Sequence, residues 1–326
     1  MRLNKFQLFF IFFLILAIFL LFQDGIQSWQ LISHINYWLI SSAIFFSIAD
    51  VCFDFFSWYY YLNETEKKLL NNQPSPYQKN FKTSFLVFLA GFATDLLPAK
   101  MGTFSRPMLL KKVQHLPLRL GAAIQFNALF ADFCAAAIIA IIGLLLMNYE
   151  FSILILTIIF ILLMVGIFIL TFKFSQMQAL VQRLIRPFFP PEAAFGITDL
   201  QVATLQLLKP NHLLVTINTK LFSWCCMGLS LYLILHSLGY DLHWSETIFI
   251  VTISAIVGVI SMLPGGIGVT DASLVGFLVY LSIPTDIAVF IIFIYRLISF
   301  WFWVLVGNAT GQFLLGSLRD ENGFRK

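Results

Sequence analysis

Asp50 and Asp54 stand four residues apart in a long apolar run, so a helix there carries both carboxylates on one face. Asp95, Lys100 and Arg106 flank a break at Pro98 and Gly102, and Asp271 follows a second break at Pro264-Gly265-Gly266-Ile267-Gly268. Asp132 lies mid-run with Gln125 one face-repeat earlier, and Arg296 lies about 14 Å into the last apolar run at roughly 1.5 Å per residue. The chemistry these residue types offer is electrostatic. A guanidinium can hold a phosphate through paired, charge-assisted hydrogen bonds. A charge at the centre of a bilayer costs at least about 2.5–3.5 kcal/mol, so each needs a partner or a task. Lys220, seven residues inside its run, is expected to snorkel to the surface.

Each of these residues also has a plainer reading. Asp271 and Arg296 form either a structural ion pair or a lipid contact. Asp50, Asp54 and Asp132 serve either function or hydrogen bonding between helices. The prolines and glycines of the breaks permit bending and close approach, and can expose N–H groups to a headgroup. Cys52, Cys134, Cys225 and Cys226 all fall in apolar runs without CxxC spacing or a Cys/His cluster, so no disulfide, metal site or cofactor is expected. No catalytic residue is assigned. Asp95, Asp132 and Asp271 are the only candidates for the nucleophile or base of a transferase, and no histidine or metal triad supports them.

The elements that must position these groups are membrane helices. The chain has 326 residues, 60% hydrophobic and 11% charged, against about 25% charged in soluble proteins. A spanning helix needs roughly 20 apolar residues, and several runs here are that long and unbroken. Only helices and closed barrels satisfy the backbone in lipid, and barrel strands alternate over about 10 residues. A net charge of +4 is too small to argue for nucleic acid. Eight apolar segments follow, at residues 6–22, 37–62, 83–97, 120–147, 151–172, 213–238, 247–263 and 287–315. The first, preceded by Arg2 and Lys5 and followed by no small-residue cleavage site, reads as an uncleaved helix. Between the fifth and sixth, Met177, Leu180, Val181, Leu184 and Ile185 recur at helical spacing beside Arg183 and Arg186. That pattern gives an amphipathic helix, on the membrane surface or packed as a connector, ended by Pro187, Pro190 and Pro191.

Basic residues orient the chain. Arg2 and Lys5 place the N-terminus in the cytoplasm, residues 23–36 lack Lys and Arg and lie outside, and Lys67, Lys68, Lys79 and Lys82 bring the next loop inside. If 83–97 crossed, Lys100, Arg106, Lys111, Lys112 and Arg119 would be stranded outside. A re-entrant hairpin turning at 98–102 resolves the conflict, and a second, turning at 264–268, dips from the opposite side. The C-terminus is then cytoplasmic, with Arg319, Arg325 and Lys326. The expected fold is therefore an all-α polytopic membrane protein of six spanning helices and two re-entrant hairpins; the alternative is eight full spans. Both tips read Leu-Pro, two residues, an apolar residue, Gly, and three crossings separate them. This suggests an inverted repeat with 1–147 as one half and 148–172 plus 213–315 as the other. Residues 173–212 form a cytoplasmic connector and 316–326 a tail. Paired breaks of this kind point to a transport site.

At these residues the chain resembles the transmembrane region of lysylphosphatidylglycerol synthases and its stand-alone relatives. Leu263-Pro264-Gly265-Gly266-Ile267-Gly268-Val269-Thr270-Asp271 is similar to the family's LPGGxGxxE, with Asp271 in place of Glu, and Tyr295-Arg296 matches its YR. Pro98, Gly102 and Arg106 match PxxxGExxR, but Thr103 replaces the acidic residue, which removes the group an acid/base role there would need. The resemblance covers roughly 37–315. In the synthases this region flips an aminoacylated phospholipid that a separate soluble domain makes. That domain is not expected here, and stand-alone relatives include some linked to hopanoid or isoprenoid lipids. The resemblance thus implies an inner- or plasma-membrane flippase for a phospholipid or polyprenyl-type lipid with an anionic or phosphate headgroup. Arg106, Arg296, Asp271, Lys100 and Asp95 are the expected binding residues, and Pro98, Gly102, Pro264, Gly265, Gly266 and Gly268 the hairpin tips. The other classes are a membrane-embedded lipid-phosphate transferase and an accessory subunit of a lipid-synthesis complex.

Overall fold

A computed structural model describes residues 36–67, 77, 79–97, 102–103, 105–146 and 197–323. The expected helices at 6–22 and 151–172, the amphipathic stretch at 177–185, Pro98 and Lys100 at the first tip, and the last three residues lie outside them. The described residues are helical throughout their ordered elements, without strands.

Helix α1 (Tyr37–Thr65) starts where the Asn36 side chain accepts the Trp38 N–H at 3.1 Å. Helix α2 (Phe81–Gly91) starts at Asn80, whose side chain accepts from Lys82 and Thr83. A 3-10 turn (Phe92–Thr94) follows α2, and α3 (Ser105–Gln114) and α4 (Leu118–Leu146) come after it. Helix α5 (Ile197–Leu207) falls inside the stretch read from sequence as a polar connector, and packs on α4. Helix α6 (Pro210–Ser237) begins on a proline, which loses no helical hydrogen bond in the first turn. Helix α7 (Trp244–Ile260) opens with a capping box in which Glu246 accepts the His243 N–H at 2.9 Å. A 3-10 turn (Pro264–Gly266) leads into α8 (Val269–Tyr280). Then α9 (Thr285–Arg296), a π turn (Leu297–Trp301) and α10 (Phe302–Gly323) run on as one rod.

Four helices among the described residues are long and apolar enough to cross a membrane: Tyr37–Thr65, Leu118–Gly143, Pro210–Ser237 and Thr285–Ser317. The helices of the first broken unit are shorter than those of the second, in which α7 has 17 residues and α8 has 12. Helices α2 and α3, with 11 and 10 residues, reach only about 16 and 15 Å, half of a bilayer core of about 30 Å. The α-helix of the first leg gives way to a 3-10 turn after Gly91, ahead of the expected tip at 98–102, of which residues 98–101 lie outside the described residues. The Thr94 hydroxyl explains it: Oγ1 lies 2.8 Å from Gly91 O, 2.6 Å from Gly102 O and 2.8 Å from Ser105 Oγ, so it ties both legs of the turn together.

Two apolar cores form. One gathers α1, α2, α3, α5 and α10 around the Phe55, Phe85 and Phe88 rings. The other gathers α6, α7, α8 and α9. Helix α4 contributes to both. Helix α1 lies along α6, α2 packs on α10, and α7 packs on α4.

Candidate functional site

A cavity of about 220 Å³ is lined by residues from both cores. Helix α1 supplies Asp50, Asp54 and Trp58, α4 supplies Gln125 and Asp132, and α6 supplies Lys220 and Ser223. The first broken unit brings Phe92, Asp95, Thr103 and Arg106, the second Gly265, Gly266 and Thr270, and the last rod Arg296, Phe300 and Trp303. Four carboxylates and three cations thus border one space in an otherwise apolar bundle.

Arg106 is 4% exposed at the start of α3. Its Nε donates to Phe88 O at 3.1 Å, and its guanidinium carbon sits 4.0 Å from the Phe88 ring centre. No carboxylate among the described residues pairs with it. Gly91 makes room for this side chain, since a Cβ there would lie 2.4 Å from Arg106 Nε. Arg296 reaches from the end of α9. Its Nε donates to Asp271 Oδ1 at 2.5 Å, while Nη2 is buried without a hydrogen-bond partner among the described residues. The second Asp271 oxygen accepts the Gly268 N–H at 2.9 Å and so caps α8.

The sequence expectations sort as follows. Arg106, Arg296 and Asp95 line the cavity, and so do Gly265 and Gly266. Asp271 does not; it stands behind Arg296 as its partner. Pro264 opens the second turn, Gly268 is the cap position of α8 with φ 85°, and Gly102 packs so closely that a Cβ would lie 1.6 Å from Thr94 O. Lys100 and Pro98 lie outside the described residues.

Lys220 is a correction. It does not snorkel: it is 6% exposed, ion-paired to Asp54 and 3.6 Å from Asp132. Helix α6 begins at Pro210 rather than at 213, which puts Lys220 about 15 Å in, beyond easy reach of the surface. One turn on, the Ser223 hydroxyl donates to Asp50. The four-residue spacing of Asp50 and Asp54 was the available signal, answered on α6 by Lys220 and Ser223. Among the described residues no group of three or more His, Cys, Asp or Glu side chains could hold a metal ion. What the arrangement offers is two guanidiniums, one from α3 and one from the end of α9, on the wall of one cavity.

The chain is similar to UPF0104 membrane proteins of archaea. It is 33% identical to one from Methanothermobacter thermautotrophicus over 102 residues, 31% of this chain and 30% of that protein. It is 26% identical to one from Methanocaldococcus jannaschii over 231 residues, 66% of this chain and 91% of that protein. A third, from Pyrococcus horikoshii, is 29% identical over 163 residues, 45% of this chain and 48% of that protein. The match therefore spans under a third of the first relative and nine-tenths of the second. No solved structure matches the chain. Residues 9–307 match the family described as the lysylphosphatidylglycerol synthase TM region. This integral membrane protein, with its charged cavity between two broken helix units, belongs to that family.

Proposed function

We propose that the protein moves a lipid with a phosphate-bearing headgroup between leaflets of the cell membrane. The headgroup, on a phospholipid or a polyprenyl-type lipid, enters the cavity while the acyl or prenyl chains stay in the bilayer. One observation carries the reading. Among the described residues Arg106 is buried with no carboxylate in ion-pair contact, Arg296 Nη2 is buried with no hydrogen-bond partner, and both residues line the same cavity. A bound phosphate would satisfy both through charge-assisted hydrogen bonds. Asp271 holds Arg296 in place rather than touching the headgroup. Asp95 and the Lys220–Asp54 pair balance charge along the wall.

The same reading assigns the topology. The two broken units are re-entrant hairpins that dip from opposite sides, six helices span, and both termini face the cytoplasm. The packing of α1 along α6, of α2 on α10 and of α7 on α4 supports an inverted repeat.

Purified protein reconstituted in liposomes with a labelled phosphatidylglycerol tests this reading. Label should pass between leaflets faster than in protein-free liposomes, and the lipid should come back chemically unchanged. Recovery of a lipid with an added group would replace transport by the transferase reading.

A further inference from the structure

Negative charge is in excess along the cavity wall before any headgroup arrives. Asp50, Asp54, Asp95 and Asp132 line it, against Lys220, Arg106 and Arg296. Arg296 is already held by Asp271, which stands outside the lining. Among the described residues, Lys220 and Arg106 are then left to answer four carboxylates, and no histidine or glutamate lines the space. A phosphate-bearing headgroup adds to the excess. Net charge at membrane depth is costly, so an anion enters this space most readily with a positive charge beside it.

The cluster around Lys220 is where that charge can sit. The lysine is 6% exposed, in ion-pair contact with Asp54 of α1 and 3.6 Å from Asp132 of α4. One turn along α6, Ser223 donates to Asp50. Three helices thus meet at one ammonium, and one ammonium neutralises one carboxylate. A proton fits better than a metal ion. Lys220 already takes the place between Asp54 and Asp132, and no group of three or more ligating side chains among the described residues could hold a metal. We propose that the headgroup travels with a proton, taken from water on one side by the Asp54 or Asp132 carboxylate and given to water on the other. The carboxylate gains and then loses an O–H, Lys220 keeps its own proton, and the lipid is unchanged. Lys220 turns toward whichever carboxylate stays charged, so protonation decides whether α1 or α4 holds α6. This inference rests on the phosphate-lipid reading.

The test uses the full chain in liposomes with labelled phosphatidylglycerol, the membrane potential held at zero by potassium and valinomycin, and protein-free liposomes as baseline. With one pH unit across the membrane, label should gather in the leaflet on the alkaline side, by up to about tenfold for one proton per lipid. A sodium gradient at equal pH should leave the label even. Movement with an even spread under the pH gradient overturns this inference alone and needs no variant. A skew that follows sodium instead overturns it too. No movement beyond the baseline overturns the phosphate reading and this one with it. Asp54→Asn and Asp132→Asn keep the shape of the side chain and remove one proton site each, so each should flatten the skew. A skew of the original size in both removes the Lys220 cluster from the proposal.

Discussion

The Asp271 carboxylate divides its work between two neighbours, the Gly268 N–H that opens α8 and the Arg296 guanidinium that lines the cavity. Substitution can separate these tasks. Asp271→Asn keeps an acceptor for the cap and loses the charge, whereas Asp271→Ala loses both. A lost N-terminal cap costs about 1 kcal/mol, and with Asp271 33% exposed the ion pair itself is partly screened. Thermal unfolding in detergent should therefore rank native above Asp271→Asn above Asp271→Ala; identical midpoints for the two variants would show that the cap contributes nothing. At this scale the sequence was readable wherever partners lie close in the chain. Asp271 and Arg296 were legible as a pair, and Asp50 and Asp54 as one face. Lys220 was misread because its partner Asp54 lies 166 residues away, and one sequence does not show which distant helix faces which.

The broken helix units were the elements most legible beforehand. Proline and glycine interrupt a helix by their own chemistry, whatever surrounds them. In the second unit, Met262, Gly265, Gly266 and Gly268 all take positive φ within seven residues, as the Leu-Pro-Gly-Gly pattern implied. In the first unit Thr94 ties the two legs together, and a threonine in an apolar run signals nothing alone. Helix α5 was missed since its surroundings were read as polar connector, while burial of Ala203, Thr204 and Leu207 against its neighbours stabilises it. The basic residues of α3 make a direct prediction. In a background without the four native cysteines, cysteines at Lys111 and Lys112, both exposed, should resist an impermeant maleimide in intact cells. One at the exposed Asp241 should react. Equal labelling at the two sites would rule out re-entry of the first unit from the cytoplasm.

Across the whole molecule, the two broken units approach each other where Leu96 lies beside Gly265. A Cβ on Gly265 would lie 2.9 Å from Phe300 Cζ and 3.4 Å from Leu96 Cδ2, so a leucine of the first unit and an aromatic of the last rod close on the second tip. If lipid passes by relative motion of the halves, tying them there should stop it. The pair Leu96→Cys and Phe300→Cys, joined by a short bifunctional thiol reagent, should block lipid movement in liposomes and recover it on reduction. Undiminished movement with complete cross-linking would mean that the tips need not part. The membrane character could be read from composition. The cavity could not, because it exists only where α1, α4 and α6 converge with both breaks.

The π turn at Leu297–Trp301 joins those halves by arithmetic. A π turn holds one residue more than an α turn, so everything after it is rotated by about 100° relative to a continuous α-helix. Before it, Arg296 faces Asp271 of the second unit; after it, Trp303 Nε1 donates to Ser47 Oγ at 3.0 Å and α10 lies on α2. Ser47 in turn donates to Ile298 O at 3.1 Å, inside the widened turn. The rod is thus a shaft with two cams set at different angles, and the surplus residue is the offset between them. Deleting one residue within the turn would leave every side chain elsewhere intact and still swing one cam out of mesh.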